Sequence, residues 1–195
     1  MSENAIQICC AALALVGGNT ITSFGDDLVE AEKASQIYEP LVRAKLTGHP
    51  WRFATVTKSL GARIADTPPE PWSYAFQMPT VPAVLEVDTV LHNGEPISYE
   101  IEGDKVFCDE SGDLFIRYLW RVTEDRWPPW FTWAITLELA AAFADALDRT
   151  EKAAELRTRD VGPIDRAWFH ARKSNSQQQT TKKLTRGRLI AGRMS

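Results

Sequence analysis

At His49-Pro50-Trp51-Arg52-Phe53-Ala54-Thr55 the chain changes from a helical pattern to a strand pattern. Upstream, Tyr38-Glu39-Pro40-Leu41-Val42-Arg43 belongs to a helix whose apolar residues recur every three or four positions. Downstream, Trp51 and Phe53 place two aromatic rings at the start of a predicted strand, where aromatic residues are favoured. Neither stretch has the shape of a standard catalytic motif. We therefore expect the fold to turn from helix to sheet here, with these residues serving as packing elements.

Helical patterns lie on both sides of this point. Before it, two amphipathic helices are predicted over residues 3–16 and 26–46, the first capped by Ser2 and ended by Gly17-Gly18. After it, Pro128-Pro129 introduces a third helix, Trp130 to about Leu147, whose nearly uninterrupted apolar composition indicates burial on most sides. Shorter helices are predicted over residues 151–159 and 165–172. These segments together predict a helical bundle with the third helix at its centre.

Between the second and third helices, short apolar and β-branched runs are separated by Pro and Gly. The predicted strands cover residues 53–57, 72–77, 83–91, 97–101, 105–108 and 114–121. Asn93-Gly94 and Glu102-Gly103-Asp104 are hairpin-turn signals, so the strands are expected to pair antiparallel. The predicted fold class is α+β: a helical bundle (1–50 and 122–173) with a small antiparallel β-domain (51–121) inserted between its second and third helices. An extended C-terminal arm (174–195) follows.

Charge is distributed unevenly along the chain. The net charge is -4 at pH 7, but seven of the 22 basic residues and none of the 26 acidic residues lie between His170 and Ser195. The rest of the chain therefore carries 15 basic and 26 acidic side chains. Residues 174–181 form a polar low-complexity spacer, and the stretch after it cannot bury enough apolar surface to fold alone. A flexible basic arm on an acidic body predicts a partner of opposite charge, or the body of a neighbouring subunit.

Side chains that could carry catalytic or metal chemistry are dispersed. Glu100 and Glu102 place two carboxylates on one strand face, as acid–base chemistry requires, but they flank a turn glycine where solvated acids are ordinary. Gly17-Gly18 lacks the Lys and Ser/Thr of a phosphate-binding loop. No metal-ligand spacing links the histidines and cysteines, which are His49, His92, His170, Cys9, Cys10 and Cys108. We expect no cofactor, no metal, and cysteines that are small buried hydrophobes in a reducing compartment.

Several stretches, taken in chain order, carry a family resemblance. They are residues 12–18 (Ala-Leu-Ala-Leu-Val-Gly-Gly), 21–23, 38–43, 49–54, 74–79, 101–103, 116–118 and 137–140. In this order they resemble the tail tubular protein A family of short-tailed phages, the head-to-tail adaptors, which have counterparts in other tailed phages and in gene transfer agents. The resemblance covers roughly residues 8–147. Its most specific part is a structural motif made of Tyr38, Arg43, His49, Pro50, Trp51 and Phe53.

The resemblance implies a structural virion protein with no active site. Family members bind beneath the portal as a ring, with the helical part toward the portal and the β-rich part toward the next tail component. The chain is therefore expected at the head–tail junction of a virion, after synthesis in the host cytoplasm. Implied partners are the portal ring, sister subunits in a homo-oligomeric ring (dodecameric on the portal), and a downstream tail or nozzle protein. DNA is expected to pass through the lumen without sequence-specific binding.

The resemblance also implies a role for the arm, because the C-terminal segments of family members reach along or between portal subunits. The residues assigned to portal binding are Lys182, Lys183, Leu184, Arg186, Arg188, Leu189 and Ile190. An acidic body suits a channel wall, since negative charge avoids adhesion to DNA phosphates.

Two other functions stay open at this point. The basic arm is also compatible with a DNA-binding accessory protein of packaging, although it lacks the interleaved aromatic residues that usually stack on bases. A tail-associated hydrolase would need a site that the residue pattern does not contain. No run of about 18 apolar residues is present, so no membrane-spanning segment is expected.

Overall fold

The computed structural model describes residues 4–158 and 162–178, and within them helices and antiparallel strands form the predicted α+β fold. The helices are α1 (Ala5–Leu15), α2 (Val29–Thr47), α3 (Pro129–Ala146), α4 (Thr150–Leu156) and α5 (Pro163–Gln177). The strands are β1 (Thr55–Ser59), β2 (Tyr74–Gln77), β3 (Val84–His92), β4 (Glu95–Pro96), β5 (Glu100–Glu102), β6 (Lys105–Cys108) and β7 (Leu114–Trp120). All seven strands lie between α2 and α3, as predicted.

The first helix starts two residues later than predicted and has a different cap. Asn4, rather than Ser2, caps α1: its side chain accepts from the Gln7 N–H at 2.9 Å, and the Gln7 side chain accepts from the Asn4 N–H at 3.0 Å. This reciprocal pair is a capping box. At the other end Gly17 has a φ of 70°, which confirms the predicted glycine termination.

The second helix begins at Val29, not at Asp26 as expected. Asp26 instead accepts backbone N–H bonds from Thr22 and Ser23, so its carboxylate stabilises the preceding loop. Leu28 fits the apolar spacing of the predicted helix over residues 26–46, which would place it on the buried face, but it is 41% exposed. Glu30 is buried in its place, where its carboxylate accepts two hydrogen bonds from Asn19.

The third helix is buried along most of its length, as its composition predicted. It packs against each of the other four helices, and eleven of its 18 residues are buried. On its outer side lies Trp133, a large apolar residue that is 52% exposed. A large aromatic ring left in solvent on the central helix marks a surface that the bundle itself does not cover.

The strands form two antiparallel sheets, with orders β1-β7-β3-β4 and β2-β6-β5. The predicted hairpin at Asn93-Gly94 joins β3 and β4, and both turn residues have positive φ (52° and 84°). The single strand predicted over residues 97–101 is wrong. The structure has two short strands instead, β4 just before this range and β5 at its end, which belong to different sheets because the chain crosses from one to the other between them.

Two hydrophobic clusters make up the core. The larger lies among the helices, and the smaller lies between the two sheets, where Phe76 and Val106 of one sheet meet Ile116 and Tyr118 of the other. Trp120, at the end of β7, packs against both clusters. Trp51 belongs to the helical cluster although it falls inside the predicted β-domain, because the chain makes a short 3-10 turn over Arg52–Ala54 before β1 begins.

The start of the predicted arm is corrected by the last helix. α5 runs to Gln177, so residues 174–177 are helical rather than part of an extended spacer. Asn175 in this stretch is buried. The remaining part of the predicted arm, residues 179–195, lies outside the described residues.

Candidate interaction surfaces

The motif residues at the helix-to-sheet change gather around Trp51. This side chain is 2% exposed, and its Nε1 donates to the Lys45 carbonyl oxygen at 2.8 Å. Its ring centroid lies between 4.5 and 6.2 Å from five other aromatic rings, those of His49, Phe53, Trp130, Phe131 and Trp168. Tilted and edge-to-face contacts at these distances are the favoured geometry for aromatic side chains. Trp51 therefore joins α2, α3 and α5 to the first strand.

Asn175 holds the end of α5 against the loop that contains the motif. Its Oδ1 accepts from the Arg52 N–H at 2.9 Å, and its Nδ2 donates to the Pro50 carbonyl at 3.2 Å. The same Nδ2 lies 3.2 Å from His49 Nε2, and Arg52 Nε donates to the Asn175 carbonyl at 3.1 Å. One buried residue thus supplies donors and acceptors to three positions of the same loop. The C-terminal end of α5 is consequently held beside the motif.

A second contact ties α5 to the centre of the bundle. Glu138 on α3 accepts from Trp168 Nε1 at 2.8 Å and forms a short ion pair with Lys45 on α2. The Lys45 ammonium also lies 5.4 Å from the centre of the Trp168 ring, within the range of a cation–π contact. Partial burial of this carboxylate would be unfavourable by itself, and the contacts from Trp168 and Lys45, both to its Oε1, offset that cost in free energy.

The other two motif residues belong to a polar cluster where the chain leaves the β-domain. Tyr38 donates from its hydroxyl to Glu124 at 2.9 Å, and Arg43 donates to Glu39 at 2.7 Å. Arg121 lies between the two carboxylates, donating to Glu39 at 3.1–3.2 Å and pairing closely with Glu124. We call these five residues the junction cluster. It links the middle of α2 to the segment between β7 and α3.

The surroundings of the junction cluster shift the pKa values of Tyr38 and Glu39. Burial raises the pKa of Tyr38, and the Glu124 carboxylate raises it further. Partial burial on its own would raise the pKa of Glu39, but hydrogen bonds from Arg121 and Arg43 outweigh it and hold that pKa below its usual value. Glu39 therefore stays charged at neutral pH and helps to keep the guanidinium of Arg121 in place. The cluster is a structural contact between the two halves of the fold.

The two carboxylates of the candidate acid–base pair are exposed on a short strand. Glu100 and Glu102 lie on β5, all three residues of which are exposed, and Glu100 accepts a hydrogen bond of 2.5 Å from Trp72 Nε1. Among the cysteines, Cys9 and Cys108 are buried as expected and Cys10 is half-buried. Burial raises the pKa of the Cys9 thiol to about 12, with a further contribution from Cys10. Within residues 4–158 and 162–178, no three His, Cys, Asp or Glu side chains group as a metal site would require.

The residues assigned to portal binding are not covered by the structure. Lys182, Lys183, Leu184, Arg186, Arg188, Leu189 and Ile190 all lie outside the described residues. No helix in the described parts of the chain has the length and apolar character needed to cross a membrane.

An apolar groove between α3 and α5 was not predicted from the sequence. It has a volume of about 680 Å³, and its wall includes Trp130, Trp133, Leu137, Arg166, Ala167 and His170. Most of these residues are three, four or seven positions apart along their helix, which places them on the facing sides of two adjacent helices. We call this feature the α3/α5 groove. The signal in the sequence was Trp133, an aromatic residue on a helix whose composition suited the core at nearly every position.

A second exposed apolar feature lies at the start of α2. Leu28 is 41% exposed and Val29 is 58% exposed, and Asp27 and Glu32 flank them at the surface. We call Asp27, Leu28, Val29 and Glu32 the α2 tip. Its two large apolar side chains project from a helix end instead of continuing the buried face of that helix.

Comparison with models of known protein families finds no match for this chain, and comparison with curated proteins finds none either. The resemblance to head-to-tail adaptors accordingly depends on the residues that carry it.

Proposed function

We propose that this protein is a head-to-tail adaptor, a structural virion protein that binds beneath a phage portal as a ring of identical subunits. The observation that carries the proposal is the link between Asn175 and the His49–Arg52 loop. Through this link the residues of the structural motif hold the end of α5, the last described helix before the basic C-terminal residues, against the body. A segment that starts from a fixed point loses less freedom on binding than one attached through a mobile linker.

The charge distribution supports the same proposal. The body is acidic and the residues from Lys182 onward are basic, so each subunit offers both members of an electrostatic contact. Repetition of such a contact around a ring lets individually weak interactions produce a stable assembly. An acidic wall also suits a channel for DNA, which is itself polyanionic. In this proposal the protein works by binding, and none of its side chains takes part in catalysis.

The test is binding to the portal protein encoded in the same genome. The full chain and a truncation after Gln178 would each be mixed with assembled portal rings and studied by size-exclusion chromatography and electron microscopy. Gln178 is the appropriate cut, because a cut after Lys173 would remove Asn175 and disturb the body. We expect the full chain to decorate portal rings and the truncation to bind much more weakly.

A length-matched variant separates charge from mere chain length. Replacing Lys182, Lys183, Arg186 and Arg188 by Gln keeps the segment and its apolar residues Leu184, Leu189 and Ile190. Reduced binding of this variant would assign the contact to charge. Equal binding of all forms would leave the adaptor proposal intact and assign the portal contact to the helical body. Failure of every form to bind portal rings would overturn the proposal.

A DNA-binding role in packaging is the second candidate, and the basic C-terminal composition is the feature that favours it. Duplex DNA binding by the full chain should then fall steeply as salt rises, because each neutralised phosphate releases counterions. The truncation after Gln178 should lose that binding. DNA affinity without portal binding would replace the adaptor proposal by this one.

A further inference from the structure

The α3/α5 groove and the α2 tip have complementary chemistry. The groove is apolar along its floor and carries Arg166 and His170 on its wall. The tip presents Leu28 and Val29 with acidic neighbours. The two features lie on different helices and share no residue.

Their charges are available for such a contact. Among the described residues, Arg166, His170 and Asp27 form no ion pair, whereas Glu32 forms an exposed pair with the neighbouring Lys33 at 3.9 Å. Within the same part of the chain, the Arg166 side chain makes one hydrogen bond, of 3.4 Å from its Nε to the Gly162 carbonyl at the start of its own helix. Solvent-exposed charges without partners beside exposed apolar side chains are the features of an interface whose other half is absent.

We propose that the α2 tip of one copy of this chain docks into the α3/α5 groove of the next copy. Leu28 and Val29 would cover the exposed face of Trp133, while Asp27 and Glu32 would approach Arg166 and His170. The contact is heterologous, because it joins two different surfaces, and such contacts repeat from copy to copy until a ring closes. The inference rests on the proposed function and deepens it by naming the surfaces through which sister subunits meet.

The C-terminal residues of the chain are a poorer occupant of the same groove. Residues 182–190 contain four basic side chains and no acidic one, and they would meet the guanidinium of Arg166 with the same sign of charge. Like charges brought together in a partly desolvated contact are unfavourable. The α2 tip has the opposite charge and two apolar side chains already held at a helix end, so less ordering accompanies its binding.

The test measures self-association of the full chain alone by sedimentation velocity over a range of concentrations. Arg166→Glu, and separately Asp27→Lys combined with Glu32→Lys, should each weaken self-association by about tenfold or more, the effect expected for a reversed charge pair at an interface. Arg63→Glu in the β-domain makes the same charge change outside both surfaces and should leave self-association unchanged. Because all these side chains are at the surface, each variant should fold as the wild-type chain does, and circular dichroism would verify this.

The most specific test mixes the Arg166→Glu protein with the protein that carries Asp27→Lys and Glu32→Lys. The reversed tip of one then faces the reversed groove of the other, while the remaining tip and groove keep their native charges. Each should self-associate only weakly alone, and association should recover when the two are mixed. Self-association that is unaffected by either reversal, or a wild-type chain that is monomeric at all concentrations, would overturn the inference.

Two further results keep this inference separate from the portal proposal. If truncation after Gln178 abolishes self-association while the Asp27 and Glu32 reversals do nothing, the groove binds the C-terminal residues and the inference is wrong. If the chain decorates portal rings but does not self-associate, the adaptor proposal stands and the subunit contact is wrong. The portal assay and the sedimentation assay can therefore fail independently.

Discussion

Asn175 and Arg52 are 123 positions apart in the chain, yet the Arg52 N–H donates to the Asn175 side-chain oxygen at 2.9 Å. This bond joins the last turn of α5 to the turn that precedes β1. It connects the part of the sequence with the most specific family resemblance to the part from which the C-terminal residues continue.

The first prediction concerns this bond. Asn175→Ala should lower the free energy of unfolding by about 1–3 kcal/mol, because the Arg52 N–H and the Pro50 carbonyl both lose a buried partner. Urea-induced unfolding followed by tryptophan fluorescence measures the change. Gln177→Ala, on the exposed side of the same helix, is the matched control and should change stability by less than about 0.5 kcal/mol. Equal effects of the two substitutions would contradict the role of Asn175.

A pair of tryptophan substitutions tests the aromatic cluster. Trp51→Ala should cost about 3–5 kcal/mol, because it leaves a cavity among five aromatic rings and removes the bond to the Lys45 carbonyl. Trp133→Ala removes the same side chain type from a half-exposed site and should be nearly neutral for folding. Thermal unfolding compares the two. A large loss of stability in the Trp133 variant would mean that its ring packs within the fold, which would also weaken the case for the α3/α5 groove as a docking surface.

The junction cluster gives a third prediction. Arg121→Met should lower stability by about 1–3 kcal/mol, since Glu124 loses its cation in a largely buried position. Little of this should come from Glu39, whose side chain is 42% exposed and therefore well solvated. Adding Glu124→Gln should recover part of the loss, as a double-mutant cycle would show. Arg43→Met, which breaks only an exposed pair on α2, should cost about 0.5 kcal/mol or less.

The free energy of unfolding should vary with pH in part through the protonation of His49. Partial burial, followed by the nearby positive charge of Arg172, lowers its pKa from the ordinary value of 6.5. The folded state thus favours the neutral ring, whose Nε2 lies against the Asn175 amide; a protonated Nε2 would place two donors face to face. The stability contribution is therefore complete above pH 6.5 and is lost as the pH falls through the lowered folded-state pKa.

NMR titration of the His49 ring and urea midpoints measured between about pH 8 and pH 5, the interval in which histidine titrates, check this dependence. In His49→Gln the stability loss over that interval should become smaller, because the titrating group is gone. Gln177→Ala, the exposed and non-titrating substitution on α5, provides the control and should leave the slope unchanged. A His49 pKa above 6.5 would reverse the predicted sign.

Several predictions from sequence that depended on local chemistry agreed with the structure. The hairpin at Asn93-Gly94 follows from the ability of both residues to adopt positive φ, and α3 follows from its length, its composition and the prolines before it. The antiparallel β-region between α2 and α3 was also predicted, because its turn residues and β-branched runs are short-range signals.

Where a feature depended on contacts between residues far apart in the chain, the prediction from sequence was wrong or could not be made. Leu28 fits the apolar spacing of α2 and yet is exposed, whereas Glu30 is buried because Asn19, eleven positions earlier, satisfies its carboxylate. Ser174 to Gln177 has the composition of a polar spacer, but Asn175 finds its partners in the loop at Pro50 and the helix continues. The polar composition of a segment shows neither which partners it will meet nor whether its groups will be satisfied on burial.

By itself, the sequence determined the α+β class, the placement of the strands inside the helical bundle, and the turns between them, because these follow from residue periodicity and backbone preference over a few positions. Only the tertiary structure decided the assignment of the strands to two sheets, the burial of Glu30 and Asn175, and the exposure of Leu28, Val29 and Trp133. Each of these depends on which residues far apart in the chain come into contact. The free energy of such a contact depends on both of the surfaces that meet, so it cannot be predicted from one stretch of sequence alone.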